Sequence, residues 1–253
     1  MRNSKIFLTA LFFLLGSMTS CSSESDHFSQ NQKNKEAFNQ GQQTFSPFLP
    51  GETIKYSIKN LGINAGEATI TFEGIKKING KDFLLIVFKA NAINFFDEEK
   101  IYSDPETFYP LIVERDLNIF GKKEKITEVY DQKNGVIRII KKAGGKTTEQ
   151  TISKQGAIDN IYCFIYRYRQ SGKFQVGESF SVKLPTKDVI INLVKETKIK
   201  AAGKEYSSYY LQTNPAQYKV WIDTSEKKVP LRINGAVGVS STAMIMNAYQ
   251  DGK

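Results

Sequence analysis

The sequence has very little of the chemistry on which most catalytic and metal sites depend. Its 253 residues include a single His and two Cys, which excludes a zinc cluster, a disulfide framework and nearly every His-dependent catalytic arrangement. It also lacks a Gly-rich phosphate loop ahead of a helix, a Cys/His pair and a carboxylate motif on a helix. The sequence therefore predicts no cofactor, no metal site and no catalytic residue.

What the chain does contain is a basic and apolar composition. Lys and Arg number 35 against 26 Asp and Glu, a formal net charge of +9, and 40% of residues are hydrophobic. This is enough apolar material for a folded core. The basic residues are spread over strands, so two interpretations stay open: a solvated surface, or attraction to anionic lipid head groups and envelope glycolipids.

The N-terminal residues 1–20 have the features of an export signal. Arg2 and Lys5 precede a mostly apolar run over residues 6–15, which is too short for a permanent membrane helix of about 20 residues. Small residues then lead to Cys21, as in the lipobox of bacterial lipoproteins. We expect Cys21 to be acylated and to anchor the protein in a membrane. The alternative is an ordinary secretory signal, with Cys21 an incidental thiol.

Residue 22 bears on the destination of a lipoprotein. Ser22 stands where an Asp often retains such proteins at the inner membrane, so we expect an outer-membrane lipoprotein with its domain facing the periplasm. Export also argues against nucleic acid as a partner.

Residues 21–47 are predicted to form a flexible tether. They are rich in Ser, Gln and Asn, with few apolar residues and no period, and cannot bury enough surface to offset their ordering entropy. Random-coil scaling gives this segment a reach of roughly 25–30 Å. His27 lies within it and has no neighbouring ligands.

Residues 48–250 are predicted to form one β-rich domain. Apolar and polar residues alternate over Thr53–Lys59 and again over Glu67–Glu73, as on half-buried strands. Turn pairs such as Asn79-Gly80, Asn134-Gly135 and Gly144-Gly145 separate the strands, which favours antiparallel hairpins. We therefore predict an all-β fold, a curved antiparallel sheet or partly open barrel-like architecture of about twelve strands. The segment Phe83–Phe88 is apolar on both faces and should lie centrally in the sheet.

A single amphipathic helix interrupts the strands. Apolar residues from Ile158 to Tyr168 recur at helical spacing, with Asp159 near the start and Arg167 and Arg169 near the end. Cys163 lies on this helix and is interpreted as a packed small hydrophobe rather than a reactive thiol.

Two acidic residues stand in similar contexts. Asp104 and Asp223 each follow an aromatic-x pattern and precede a polar stretch and a Pro-Leu pair. We interpret both as turn caps that accept hydrogen bonds from backbone amides. A catalytic role would need shifted pKa values, which nothing in the sequence indicates.

The order of several landmarks resembles a known family. They are Pro50-Gly51-Glu52, Ile63-Asn64-Ala65-Gly66-Glu67-Ala68, the two Asp…Pro-Leu hairpins, the Asp159-to-Arg169 helix, Val176-Gly177-Glu178 and Val220-Trp221-Ile222. Together they resemble domain-of-unknown-function family 3108, found in exported envelope proteins of diderm bacteria, from about Phe48 to Tyr249. The resemblance implies curved sheets similar to lipoprotein-carrier-like folds, which hold acyl chains against a concave face. It implies no established catalytic residues.

Three functional hypotheses follow. The first is a non-enzymatic lipoprotein whose domain binds lipid or another hydrophobic ligand, with a groove lined by aromatic residues. The candidates for that lining are Phe72, Phe83, Phe88, Phe95, Phe96 and Trp221. The second is a module that docks an envelope protein or polymer through strand edges or a basic face, and an enzyme is a distant third. We expect a monomer.

Overall fold

The computed structural model describes residues 48–235 and 242–253, which form one antiparallel sheet of fourteen strands and one helix. The strands are β1 (Glu52–Asn60), β2 (Ile63–Ile78), β3 (Lys81–Ala92), β4 (Phe95–Ser103), β5 (Pro110–Ile119), β6 (Lys122–Asp131), β7 (Val136–Ala143), β8 (Lys146–Ser153), β9 (Ser179–Leu184), β10 (Lys187–Ala201), β11 (Lys204–Asn214), β12 (Lys219–Asp223), β13 (Pro230–Asn234) and β14 (Thr242–Gln250). The helix α1 spans Ile161–Ser171, between β8 and β9. The predicted all-β class is confirmed, with fourteen strands in place of about twelve.

The sheet is two meanders joined through the first and last strands. Strands β1 to β8 pair in sequence on one side, β9 to β14 pair in sequence on the other, and β1 pairs with β14. Short hairpins make antiparallel neighbours of consecutive strands, as the turn pairs predict. The last strand was predicted over residues 238–249; residues 238–241 lie outside the described part of the chain, and β14 begins at Thr242.

The sheet curls until its two edge strands approach each other without pairing. Residues 154–159, which follow β8, contact β9 and β10. The Asp159 amide donates to the Lys183 carbonyl at 2.7 Å, and the Lys154 ammonium lies 2.6 Å from the Asp188 carboxylate. Curling leaves an inner face, which packs around α1, and an outer face toward solvent.

Helix α1 begins three residues later than the periodicity from Ile158 suggests. Asn160 is the N-cap, its side chain accepting from the Tyr162 amide at 2.8 Å, and Gly172 ends the helix with a φ of 64°. Asp159 precedes the helix and pairs with the Arg167 guanidinium rather than acting only on the helix dipole. Cys163 is fully buried, and burial raises the pKa of its thiol well above the ordinary value.

The β3 strand is buried on both faces, as predicted. Leu84, Ile86 and Phe88 point into the inner core, whereas Phe83 and Leu85 are covered on the outer face. The Phe83 ring packs edge-on to Tyr102, with ring centroids 6.2 Å apart. A strand with both faces covered needs the near-continuous apolar run that this segment has.

The two acidic turn residues cap their turns. The Asp104 carboxylate accepts from the amides of Glu106 and Thr107 at 3.1 and 2.9 Å. The Asp223 carboxylate accepts from the Val229 amide at 2.9 Å and from the Ser225 hydroxyl at 2.8 Å. Both contacts satisfy backbone or hydroxyl donors within the turn, so the structural interpretation of these residues is confirmed.

A buried ion pair joins the C-terminal end of α1 to the first strand. The Arg169 guanidinium donates to both Glu52 carboxylate oxygens, at 2.8 and 2.7 Å, and both side chains are fully excluded from solvent. Tyr166 and Tyr249 also donate their hydroxyls to Glu52, at 3.2 and 3.1 Å. Removing either ion would leave the other buried and unpaired, because each has lost its hydration.

Removing one partner of this pair should therefore destabilise the fold. Arg169→Met leaves the Glu52 carboxylate buried without its cation, and we expect the free energy of unfolding to fall by about 3–5 kcal/mol. Urea denaturation followed by fluorescence of Trp221 measures this. The control is Arg138→Met, which breaks the exposed pair with Glu149 and should leave stability almost unchanged. Equal losses in the two variants would contradict the assignment.

Candidate functional site

A cluster of ionisable side chains lies on the inner face of β4, β5 and β6. Alternation along β4 turns Asp97 and Glu99 inward, between the inward-facing Phe95 and Ile101. Glu99 stands opposite Arg115 in the β4–β5 register, and Glu128 is opposite Val113 in the β5–β6 register. The strands thus bring three carboxylates and one guanidinium together inside the curl.

The cluster has an excess of acid. Arg115 donates to both oxygens of Asp97, at 2.7 and 2.5 Å, and its Nε lies 3.4 Å from a Glu99 oxygen. Glu128 accepts a 2.5 Å hydrogen bond from the Tyr130 hydroxyl. One guanidinium that binds Asp97 in bidentate fashion cannot equally balance all three carboxylates.

In this setting the Glu99 carboxyl keeps its proton up to about neutral pH. Burial raises the pKa of Glu99 to about 7; the Arg115 guanidinium opposes the rise, and the Asp97 and Glu128 carboxylates add to it. Burial likewise raises the pKa of Glu128. Perturbed acids in the interior of a fold are typical of functional sites, although structural ion-pair networks produce them too.

An apolar cavity lies between α1 and strands β10 to β12. Most of its lining residues are apolar, and its volume is about 10 Å³. That is about the space of one water molecule. Its lining residues are Ile161, Phe164, Ile165, Ile191, Leu211, Gln212, Thr213, Tyr218, Val220 and Ile222.

Tyr218 connects the apolar cavity and the ionisable cluster. It lines the cavity, and the charges of Glu99 and Arg115 both act on its hydroxyl, whose pKa burial raises. Tyr162 of α1 lies beside the same charges and stacks on Phe88, with ring centroids 4.7 Å apart. The inner face therefore places a cavity with an apolar lining beside a polar cluster.

The predicted ligand-lining residues divide between the two faces. Phe72, Phe88 and Phe95 face the inner core, and the first two are so well packed that they act as core residues. The other three, Phe83, Phe96 and Trp221, lie on strand positions that face outward. The Trp221 ring packs against Tyr210 and beneath the Arg232 guanidinium, each about 4.9 Å away. The six residues do not form one groove.

The ionisable cluster was missed by sequence reasoning, and so was most of β4, whereas the hairpin turn at Asp104 and the return strand that begins at Pro110 were predicted. The reason is the same for both: Asp97 and Glu99 occupy inward positions that an alternating pattern assigns to apolar residues. The remaining predicted site residue, Cys21, lies outside the described residues, as do the predicted signal and tether.

Residues 48–235 and 242–253 contain neither a helix able to span a membrane nor a cluster placed to hold a metal ion. The helical segment there falls short of the length and apolarity that a bilayer crossing requires. No three His, Cys, Asp or Glu side chains in this part of the chain are placed to hold a metal ion.

The raised pKa of Glu99 predicts that the stability of the fold depends on pH. A carboxyl with a pKa of about 7 when folded and 4.5 when unfolded binds its proton more tightly in the folded state. Its favourable contribution is present at low pH and is lost as the pH rises from 4.5 through 7. The Gln side chain of Glu99→Gln stays neutral at every pH. The free energy of unfolding of this variant, relative to that of the wild type, should therefore rise by up to about 3 kcal/mol between about pH 5 and pH 8.

Urea denaturation across this pH range checks the prediction. The control is Glu98→Gln, one residue away on the outer face, where Glu98 pairs with Lys89; it should keep the wild-type pH dependence. A Glu99→Gln variant with unchanged pH dependence would contradict the shifted ionisation.

Comparisons with known proteins give structural likenesses and one family. The chain is similar to a β-barrel-like protein of domain of unknown function DUF1849 from Brucella abortus, at 6% identity and a TM-score of 0.47, covering 81% of this chain and 99% of that one. It is also similar to a Bacteroides fragilis protein described as exported, with a YmcC-like fold (7% identity, TM-score 0.29, 82% and 99% coverage). A Parabacteroides distasonis protein described as a lipoprotein gives 9% identity and a TM-score of 0.28, with 83% and 100% coverage.

No curated protein matches the chain. A family profile does match, over residues 53–246, which is most of the chain and includes strands from both meanders. The protein therefore belongs to the family described as Protein of unknown function (DUF3108).

Proposed function

We propose that this protein is exported to the bacterial envelope, held at the outer membrane by acylated Cys21, and acts there as a non-enzymatic binder of a lipid or another hydrophobic ligand. The export signal and lipobox support the location. The observation that carries the binding role is the apolar cavity that meets the Glu99–Arg115 cluster at Tyr218. Binding sites for small molecules commonly combine an apolar lining with a few convergent polar groups.

The chemistry of the two halves indicates an amphiphilic ligand. Ile191, Leu211 and Ile222 offer only hydrocarbon to the cavity, which suits an acyl chain. Arg115 keeps about a third of its side chain exposed, beside a carboxyl that can change charge near neutral pH. A polar head group would lie against this cluster, where its hydrogen bonds replace those of water.

Binding requires the cavity to widen. Its volume of about 10 Å³ is far below the roughly 300–1,000 Å³ of pockets for drug-sized ligands. Helix α1 contributes Ile161, Phe164 and Ile165 to the lining, all from its N-terminal half. We propose that the N-terminal half of α1 swings away from β10–β12 while the Arg169–Glu52 pair holds its C-terminal end in place, and that ligand replaces the side-chain contacts given up.

A pair of variants in one strand tests the proposal. Ile191 lines the cavity, whereas its neighbour Ile190 faces outward with 45% of its surface exposed. Native mass spectrometry of the exported chain carrying Cys21→Ser, purified gently from periplasm, should detect adducts of lipid mass. Ile191→Phe fills the cavity and should lower adduct occupancy about tenfold, while Ile190→Phe should not.

Thermal melting of both variants shows whether each remains folded. A wild-type protein without adducts, or equal occupancy in the two folded variants, would contradict ligand binding at this cavity. Substitution of Glu99 by Gln with unchanged occupancy would restrict the site to the apolar half.

A second candidate function is docking through the β8 edge. Every residue of β8 except Ile152 is exposed, and the strand pairs on one side only, with β7. An edge strand offers unpaired backbone groups to a partner strand. A photo-crosslinker at Gln150 should then capture a discrete envelope partner in cells, whereas one at Lys100, exposed on the outer face of the interior strand β4, should not. Crosslinking that gives no discrete product would count against docking.

A further inference from the structure

Three consecutive hairpins expose large apolar side chains at one end of the sheet. Their tips are Leu61-Gly62 between β1 and β2, Ile93-Asn94 between β3 and β4, and Phe120-Gly121 between β5 and β6. The exposed fractions are 84% for Leu61, 73% for Ile63, 84% for Ile93 and 55% for Phe120. We call Leu61, Ile63, Ile93 and Phe120 the apolar rim.

The rim residues follow one another along the same end of the sheet. Adjacent strands lie about 4.8 Å apart, so successive hairpin tips are about 10 Å apart. The Phe120 amide donates to the Asn94 carbonyl at 2.8 Å, which ties two of the tips together. The β1–β2 tip reaches farther, because β3 ends opposite Gly66 and leaves Ile63 and its neighbours projecting beyond it.

The local backbone does not favour these residues. Leu61 and Phe120 have φ values of 49° and 51°, in the left-handed region that Asn and Gly adopt most readily. At the opposite end of the sheet, the β2–β3 hairpin has the same turn shape with Asn79-Gly80, at φ values of 50° and 80°. Since Asn-Gly suits the turn better than Leu-Gly or Phe-Gly, turn formation does not account for the apolar side chains.

The rim carries positive charge. Lys122 and Lys123 are exposed immediately after the Phe120-Gly121 tip, and the half-buried Lys59 lies two residues before Leu61. The next hairpin in the row adds Lys142 and Lys146, both exposed. The residues that form the three tips include no acidic side chain. Apolar side chains surrounded by Lys suit the boundary between anionic head groups and acyl chains in a bilayer.

We propose that the apolar rim docks onto an anionic phospholipid bilayer, with the four side chains entering the interface and the neighbouring Lys residues pairing with head groups. This contact is distinct from the anchor at Cys21. Glu52, where β1 begins, stands opposite Phe72, whereas the rim lies at the far end of the same two strands. The ligand cavity of the proposed function takes no part in it.

The opposite end of the sheet supplies a matched control. Ile75 and Ile78 are exposed there by 63% and 39%, beside Lys76 and Lys77. Ile78 ends β2 beside the Asn79-Gly80 tip, as Ile63 begins β2 beside the Leu61-Gly62 tip, so loss of Ile75 and Ile78 removes apolar surface at the other end without changing the rim.

The test measures partition of the chain from Ser22 onward, which lacks both the acylated Cys21 and the apolar signal of residues 1–20, into vesicles of phosphatidylethanolamine with phosphatidylglycerol. Leu61→Asn/Phe120→Asn should lower the partition coefficient at least about tenfold, while Ile75→Asn/Ile78→Asn should change it less than about twofold. Neutral phosphatidylcholine vesicles should bind the wild type more weakly, because the Lys residues then lack anionic partners. Lipid occupancy of the inner cavity, measured by native mass spectrometry, should be the same in all variants.

Wild-type partition by the rim variant, or an equal loss in the control, would overturn the proposal. Folding of the rim variant is expected, because Asn is favoured at both substituted turn positions. A second measurement does not depend on that variant: Phe120→Trp in a Trp221→Phe background should show quenching by brominated lipid, and Asn79→Trp in the same background should not. Quenching equal at both ends would also overturn it.

Discussion

The ion pair between Arg169 and Glu52 is the contact on which the interior depends. It joins the end of the helix to the first strand, with both charges excluded from solvent and with two tyrosine hydroxyls completing the carboxylate's hydrogen bonds. Burying these ions costs hydration that only this geometry restores, so alternative helix positions would leave a charge unpaired. A curled sheet of fourteen strands can enclose a helix in many ways, and this pair selects one.

The interior has an apolar half and an ionisable half. Beneath α1, strands β10–β12 present aliphatic and aromatic side chains to a small cavity. Strands β4–β6 instead turn three carboxylates and Arg115 inward. An acid of raised pKa beside a cavity with an apolar lining is unnecessary for a stable core, since burying charge costs free energy. This asymmetry is the physical basis for the proposed ligand site, just as the unfavourable turn residues Leu61 and Phe120 are the basis for a lipid-facing rim.

Local patterns in the sequence were sufficient for much of the fold. Asn79-Gly80 predicts its hairpin because both residues accept positive φ, and Phe83–Phe88 predicts a central strand because both its faces are apolar. The Asp104 cap follows from side-chain reach alone. Prediction failed where a tertiary requirement overrode the pattern. Asp97 and Glu99 place acids on the inner face of β4, so this strand lacks the alternation that identifies a half-buried strand. The helix starts after its Asn160 cap rather than at Ile158, the first apolar residue at helical spacing.

The sequence by itself determined the all-β class, the hairpin order, the single helix and the family, because turn chemistry and side-chain periodicity act over a few residues. Only the tertiary structure decided which residues share a site. The aromatic candidates for a groove divided between two faces, since Trp221 and Phe96 alternate out of phase with the core. Glu99 and Arg115 lie sixteen positions apart in the chain, and Tyr218 far beyond them; they meet because strand register and the curl of the sheet bring distant segments into one interior.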